Sequence, residues 1–161
     1  MRRNTVRFVG AVPIRPYAYL IGKLSVLACW ASLVGKHFWP GIVWFSSPGL
    51  DVLGAVLLVT GLVLMVAGGV NLGGSLRVGL PREKTVLRTG GVFRYTRNPM
   101  YVGGFVTCLA AVAWTANPVV FVLAIVAAIV HHTIVLAEEK YLAAEFGDAW
   151  TEYSRRVRRY L

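Results

Sequence analysis

Two groups of polar residues in this sequence have the types and spacing for chemistry. The first is the run Gly90-Gly91-Val92-Phe93-Arg94-Tyr95-Thr96-Arg97-Asn98-Pro99-Met100-Tyr101. The second is Glu138-Glu139-Lys140-Tyr141-Leu142, followed by Phe146-Gly147 and Trp150-Thr151-Glu152-Tyr153. Carboxylates at a helix end are ordinarily just solvated. Here, however, they fall at a helix C-terminus, where the dipole disfavours negative charge, and that argues for a partner. Arg94 and Arg97 are the candidates, and arginines so placed could also hold a carboxylate group. Glu138 or Glu139 could in turn bind a ribose hydroxyl pair or a cation. His131 and His132 each precede one glutamate by nearly two helical turns, so His131 shares a face with Glu138 and His132 with Glu139. A polar residue inside an apolar span is a functional candidate, and a histidine there could accept a proton. The bland alternative is a histidine bonded to a neighbouring helix. No third ligand accompanies the pair, so no metal site is expected.

These groups must be positioned by membrane helices. Four stretches have about the length and apolarity of a span: Tyr17 to Val34, Val52 to Val70, Met100 to Ala116 and Val119 to Ala137. Asn117-Pro118 leaves almost no loop between the last two, and Pro118 suits a first helical position. Phe38 to Leu50, rich in Trp, Phe and Pro, reads as an interfacial loop. The reading is therefore all-α and polytopic: about four transmembrane helices and a C-terminal amphipathic helix, without a Rossmann fold. Residues 1–161 form one membrane domain in this reading, with a cofactor-binding part at about 72–161.

Composition agrees. The chain has 161 residues, 57% of them hydrophobic, and a mean hydropathy of +0.62. Its net charge of +10 would suggest nucleic acid in a soluble protein, but no nucleic-acid-binding pattern is present. The cations are better read as cytoplasmic loops facing anionic headgroups. Arg2, Arg3, Arg7, Arg15 and Lys23 precede or open the first span. Arg77, Arg82, Lys84, Arg88, Arg94 and Arg97 lie between the second and third, and Lys140, Arg155, Arg156, Arg158 and Arg159 follow the fourth. Only Lys36 falls on the other side. A multi-pass cell-membrane protein with both termini cytoplasmic is expected, and both polar groups share that face. No cleavable signal peptide is expected, because Pro13 and Pro16 interrupt before the apolar run. Cys29 and Cys108 lie in apolar runs, without a metal or redox spacing.

From Glu138 to Leu161, Leu142, Phe146, Trp150, Tyr153, Val157 and Tyr160 recur at spacings of three and four. This predicts an amphipathic helix, kinked or broken at Gly147, that lies on the membrane or covers a site. Gly68-Gly69 and Gly73-Gly74 only loosely resemble a nucleotide-binding loop. They follow a membrane helix rather than a strand, so close packing or a helix break is expected there.

The two-part motif resembles the integral membrane methyltransferases that include isoprenylcysteine carboxyl methyltransferases and phospholipid N-methyltransferases. The matching residues are Gly91 to Tyr101, Glu138-Glu139, Phe146-Gly147 and Tyr153, and the resemblance covers roughly Leu72 to Leu161. It implies S-adenosyl-L-methionine as methyl donor, bound at the cytoplasmic side. By position, Arg94, Arg97, Asn98, Pro99 and Tyr101 would form one wall of the cofactor pocket. Glu138 and Glu139 would form the other, with the tail from Tyr141 covering it. The partner would be a lipophilic acceptor entering from the lipid between helices. A carboxylate acceptor needs no base, whereas an amine or thiol would lose its proton to Glu138, Glu139 or His131. Asn98 stands where many relatives have a titratable His. Ile134 and Val135 stand where prenylcysteine enzymes tend to carry a basic residue, which weakens the case for a prenylcysteine carboxylate acceptor. Two other readings remain: a sterol-reductase-like enzyme using NADPH, and a non-enzymatic protein that binds anionic lipids.

Overall fold

The computed structural model describes residues 14–73 and 86–161. Arg2, Arg3, Arg7, Pro13, Gly74, Arg77, Arg82 and Lys84 lie outside the described residues. Four helices carry the fold: α1 (Pro16–Gly35), α2 (Pro48–Leu72), α3 (Pro99–Thr115) and α4 (Pro118–Arg156). Each opens on a proline, whose missing N–H costs nothing in the first turn of a helix. No strand occurs among the described residues.

Three of these helices, α1, α2 and α4, are long and apolar enough to cross a membrane. The fourth expected span, α3, has 17 residues. It rises about 25 Å, slightly less than a typical hydrocarbon core. Its position compensates, because α3 packs against all three other helices and buries Val102, Thr107, Cys108, Ala110, Ala111 and Ala113.

Small residues set the packing. The buried residues of α2 are Gly54, Gly61 and Gly68, spaced by two turns along one face. Each meets α3. A Cβ on Gly61 would lie 2.7 Å from Thr107 Cγ2 and 2.8 Å from the Gly103 carbonyl oxygen, and one on Gly68 would lie 2.6 Å from Met100 Cγ. Gly54 sits under the Trp114 indole. Lipid removes the hydrophobic drive between helices, so this close approach of backbones is what holds the pair together. Gly68 thus has the packing role that its sequence suggested. On α1 the buried residues are Gly22, Ser25, Cys29 and Ser32, and that face packs against α4 and α3. Cys29 and Cys108 are free thiols, both buried in the cluster with Ala111, Val120 and Ala124. The Trp30 indole N–H adds a 2.9 Å hydrogen bond to Thr107 Oγ1.

The two ends of the bundle differ. At one end, Ala116 adopts a left-handed conformation (φ 43°) and Asn117 Oδ1 accepts from the Val119 N–H at 2.9 Å, closing the α3–α4 turn. The turn is tied to the 36–47 segment by Asn117 Nδ2 donating to the Ile42 carbonyl (2.9 Å) and by Trp44 N–H donating to the Thr115 carbonyl (2.8 Å). Lys36 sits here, 3.8 Å from Asp51 and 4.0 Å above the Trp114 ring. Phe38, Trp39, Trp44 and Phe45 are exposed around it, as an aromatic belt requires. The opposite end gathers the start of α1, the end of α2, the start of α3 and the Glu138 turn of α4.

The tail departs from one continuous amphipathic helix. Gly147 takes φ 52° and ψ −120°, a conformation open mainly to glycine, and breaks α4 there. Helix resumes to Arg156, and Val157 is extended. The predicted apolar set still faces inward, with Trp150 and Tyr153 buried and Leu142, Phe146, Val157 and Tyr160 half-buried.

Candidate functional site

Arg97 and Glu139 meet across the mouth of the α3–α4 hairpin. The chain from Gly91 to Arg94 forms a short 3-10 turn, opened by Gly91 at φ 59°. Thr96 and Asn98 then lead into α3. Arg97 Nε and Nη2 donate to Glu139 Oε1 at 3.1 and 3.0 Å, and Nη1 donates to the carbonyls of Ser154 (2.8 Å) and Val157 (2.7 Å). Four of its five N–H donors therefore have partners inside the protein. The other Glu139 oxygen accepts from Arg159 Nε at 2.9 Å and lies 2.8 Å from its Nη2. Asn98 Nδ2 adds a 3.3 Å contact to Oε1. Glu139 is thus gripped by two guanidinium groups and one amide. Burial pushes its pKa up, but the bonds and charges of Arg159 and Arg97 outweigh this and hold the carboxyl below the usual glutamate range.

The tail is strapped over this centre by its backbone. The Arg158 carbonyl accepts from Arg97 N–H (2.9 Å), and the Arg159 carbonyl accepts from Thr96 Oγ1 and from Asn98 Nδ2 (both 3.1 Å). The Tyr153 hydroxyl donates to the Phe93 carbonyl at 2.8 Å, and the Trp150 ring lies 5.6 Å from the Arg97 guanidinium. Asn98 therefore serves here as a hydrogen-bond donor, within the limits set by a side chain that cannot titrate.

Glu138 takes a different direction. The Tyr101 hydroxyl donates to its Oε1 at 2.9 Å, and the Tyr101 ring lies 6.0 Å from that of buried His131. His131 Nδ1 lies 2.8 Å from the Ala127 carbonyl. A carbonyl cannot donate, so Nδ1 carries a proton, and Nε2 is an acceptor whenever the ring is neutral. One residue further on, His132 Nδ1 lies 2.8 Å from the Tyr160 hydroxyl. This pair borders a cavity of about 520 Å³ between α3 and α4, whose other walls are Val102, Phe105, Val106, Ala128 and Leu161.

The predicted residues thus divide. Arg97, Asn98 and Glu139 form one network, whereas Tyr101 bonds Glu138 and only its ring lies near His131. Pro99 is buried as the first residue of α3. Arg94 is exposed and makes no hydrogen bond or ion pair with Glu138 or Glu139, and Tyr141 is half-buried beyond them. Sequence reasoning counted Arg159 only as a cation and missed its bond to Glu139. It also passed over Thr96, and it placed Tyr160 on an amphipathic face without a partner. No metal-binding cluster of His, Cys, Asp or Glu occurs among the described residues.

Fold and site together define a polytopic helical membrane protein whose polar residues gather at one end of a helical hairpin. The chain belongs to the phospholipid methyltransferase family, whose model matches residues 50–149. Arg97, Tyr101, Glu138 and Glu139 lie inside that segment, and α1 lies outside it. Among solved structures, the chain is similar to a eukaryotic intramembrane Ras methyltransferase, isoprenylcysteine carboxyl methyltransferase. The TM-score is 0.65 and the identity 22%, over 89% of this chain and 52% of that one. The likeness is one of fold, and this chain spans about half the length of that protein. No curated protein sequence matches it.

Proposed function

We propose that this chain is an S-adenosylmethionine-dependent methyltransferase acting on a lipophilic acceptor at the cytoplasmic membrane face. The observation that carries the reading is the Tyr101–Glu138 pair. It lies within the family-matched segment, where an apolar span ends, and its carboxylate takes no part in the arginine network. A carboxylate among aromatic rings suits a sulfonium cation. Orientation rests on charge: Arg15, Lys23, Arg94, Arg97 and Lys140 belong to one end of the bundle, and Lys36 to the other.

S-adenosylmethionine, when bound, supplies an electrophilic methyl group, and most of the acceleration would come from positioning. Glu138 and Tyr101 hold the positive end of the cofactor. The cavity beside His132 and Tyr160 receives the apolar chain of the acceptor from the lipid. Tyr101 and His131 border the polar cluster, while Val102 and His132, the next residue on each helix, border the cavity, so the two ligands approach along one seam. His131 Nε2 takes the proton from an amine or thiol acceptor, and a carboxylate acceptor needs no such step.

Calorimetric titration of the detergent-solubilised protein tests the first half. The expected result is a micromolar-range Kd for S-adenosylmethionine, an order of magnitude usual for enzyme substrates, and none for NADPH titrated in parallel. Incubating membranes with methyl-labelled cofactor tests the second, since label should enter the lipid-extractable fraction. Absence of cofactor binding overturns the reading.

A further inference from the structure

The turn at residues 93–97 and the tail at residues 153–159 run side by side and form one strap. The Tyr153 hydroxyl donates to the Phe93 carbonyl, and the Arg97 N–H donates to the Arg158 carbonyl. The inward side chains Phe93, Thr96 and Tyr153 are buried. The outward ones are cationic: Arg94 on the turn and Arg155, Arg156 and Arg158 on the tail are all exposed. Arg156 lies 3.4 Å from Glu152, and Tyr95, 76% exposed, stands next to Arg94. Like charges gathered around one strap repel one another, and anions on its outer face would remove that cost.

The same strap reaches the lipid. Tyr160 and exposed Leu161 border the cavity between α3 and α4 together with Val102, Phe105, Ala128 and His132. His132 and Ala128 lie about 9 and 15 Å inward from Glu138 along α4, within its apolar part. The side chains of Tyr160 and Leu161 therefore reach the depth of the acyl chains. Two residues of backbone span at most about 7 Å, which sets Arg158 beside the headgroup layer. Arginines followed by Tyr and Leu, with an exposed tyrosine alongside, make a segment that straddles the membrane interface.

We infer that the outer face of this strap docks anionic phospholipid headgroups through Arg94, Arg155 and Arg158, and that these lipids hold the tail closed over Arg97 and Glu139. Charge complementarity selects the partner. A guanidinium meets a phosphate through paired N–H donors, and an anionic leaflet attracts a basic segment at its surface, whereas a zwitterionic headgroup offers no net charge. The consequence for function rests on the methyltransferase reading above: in a leaflet poor in anionic lipid the tail opens more often, and cofactor binding weakens.

Hydrogen exchange on the full chain tests the surface, in nanodiscs of phosphatidylcholine with and without phosphatidylglycerol. The readout is the Arg97 amide, whose partner is the Arg158 carbonyl. Phosphatidylglycerol should slow its exchange by about fivefold or more, the worth of one basic residue near an anionic leaflet. The difference should vanish in 1 M salt, where the Debye length falls to about 3 Å, and in the double variant Arg155→Gln/Arg158→Gln. The comparison of the two lipids is made on the unaltered protein, so it does not depend on the folding of any variant. Equal exchange in the two nanodiscs overturns the inference. Equal slowing by inorganic phosphate in neutral nanodiscs would assign the surface to a free anion and overturn the lipid. The Kd for S-adenosylmethionine should tighten with phosphatidylglycerol, and an unchanged Kd overturns the link to the site. Failure to bind S-adenosylmethionine in either lipid overturns the cofactor assignment instead, and a lipid-dependent exchange rate would still stand.

Discussion

Arg159 lies 2.8 Å from a carboxylate oxygen of Glu139, although a straight helix between the two would hold them about 30 Å apart. The chain closes this distance by breaking at Gly147 and turning extended at Val157. Arg97 grips the other oxygen of the same carboxylate and, through Nη1, the carbonyls of Ser154 and Val157. One glutamate on α4 thereby joins the start of α3 to the end of the chain.

Glu139→Ala should destabilise the protein by about 3–5 kcal/mol, because it leaves the Arg97 guanidinium, on a side chain only 10% exposed, without its counter-charge. Arg159→Ala should cost about 1 kcal/mol, since its side chain is 37% exposed and Arg97 remains on Glu139. Equilibrium unfolding in mixed micelles measures both. Equal losses for the two variants would contradict the central place given to Arg97–Glu139.

The same centre should fail in acid. The folded pKa of Glu139 lies below its unfolded value. Its contribution is therefore complete above the ordinary glutamate pKa of about 4.3 and lost as pH falls through the lower folded value. Amide exchange at residues 157–161 should quicken in that acidic window. Glu139→Gln should exchange quickly at neutral pH as well and show no such step.

Gly61→Ala should destabilise the α2–α3 pair by about 1–3 kcal/mol, because the nearest neighbours include the Gly103 carbonyl and the Thr107 backbone, which cannot swing aside. Gly69→Ala is the control. Nothing lies within 4 Å of the added Cβ, so helix propensity alone should act and stabilise by about 0.5–1 kcal/mol. Thermal unfolding of the two variants should move in opposite directions.

Gly147→Ala meets open space, yet the φ of 52° and ψ of −120° strain any side chain. A cost of about 1–3 kcal/mol is expected, localised to the tail. Limited proteolysis beyond residue 147 should speed up while the helices before it stay protected. Unchanged proteolysis would mean that the break is not needed to seat the tail.

The helices were legible in the sequence because lipid imposes a strong, local requirement: an apolar stretch of sufficient length, with prolines at its starts. Even α3, short for a span, follows from Asn98-Pro99 and Asn117-Pro118 at its two borders. The pairing of His131 with Glu138 and of His132 with Glu139 also follows from helical period alone. In the structure Tyr101 bonds Glu138 with its ring 6.0 Å from His131, and His132 pairs with Tyr160, the residue after Arg159. Arg94 and Arg97, by contrast, looked equivalent. They separate because one sits on an exposed 3-10 turn and the other at the threshold of α3, a difference of local backbone path.

By itself, the sequence determined which segments enter the membrane, that the tail has an apolar face, and that the two polar groups belong to one end of a hairpin. These depend on composition and period, which each segment carries alone. Only the tertiary structure decided which charges meet. Arg159 finds Glu139 through a chain reversal, and Arg97 meets the same carboxylate from the start of α3. The Gly54, Gly61 and Gly68 face finds its partner on α3 through backbone contact. Such pairings depend on how helices pack and where a glycine breaks them, and no local pattern encodes that. The consequence is a division between adjacent glutamates that sequence spacing treats as one unit: Glu139 bonds Arg97 and Arg159, and Glu138 bonds Tyr101.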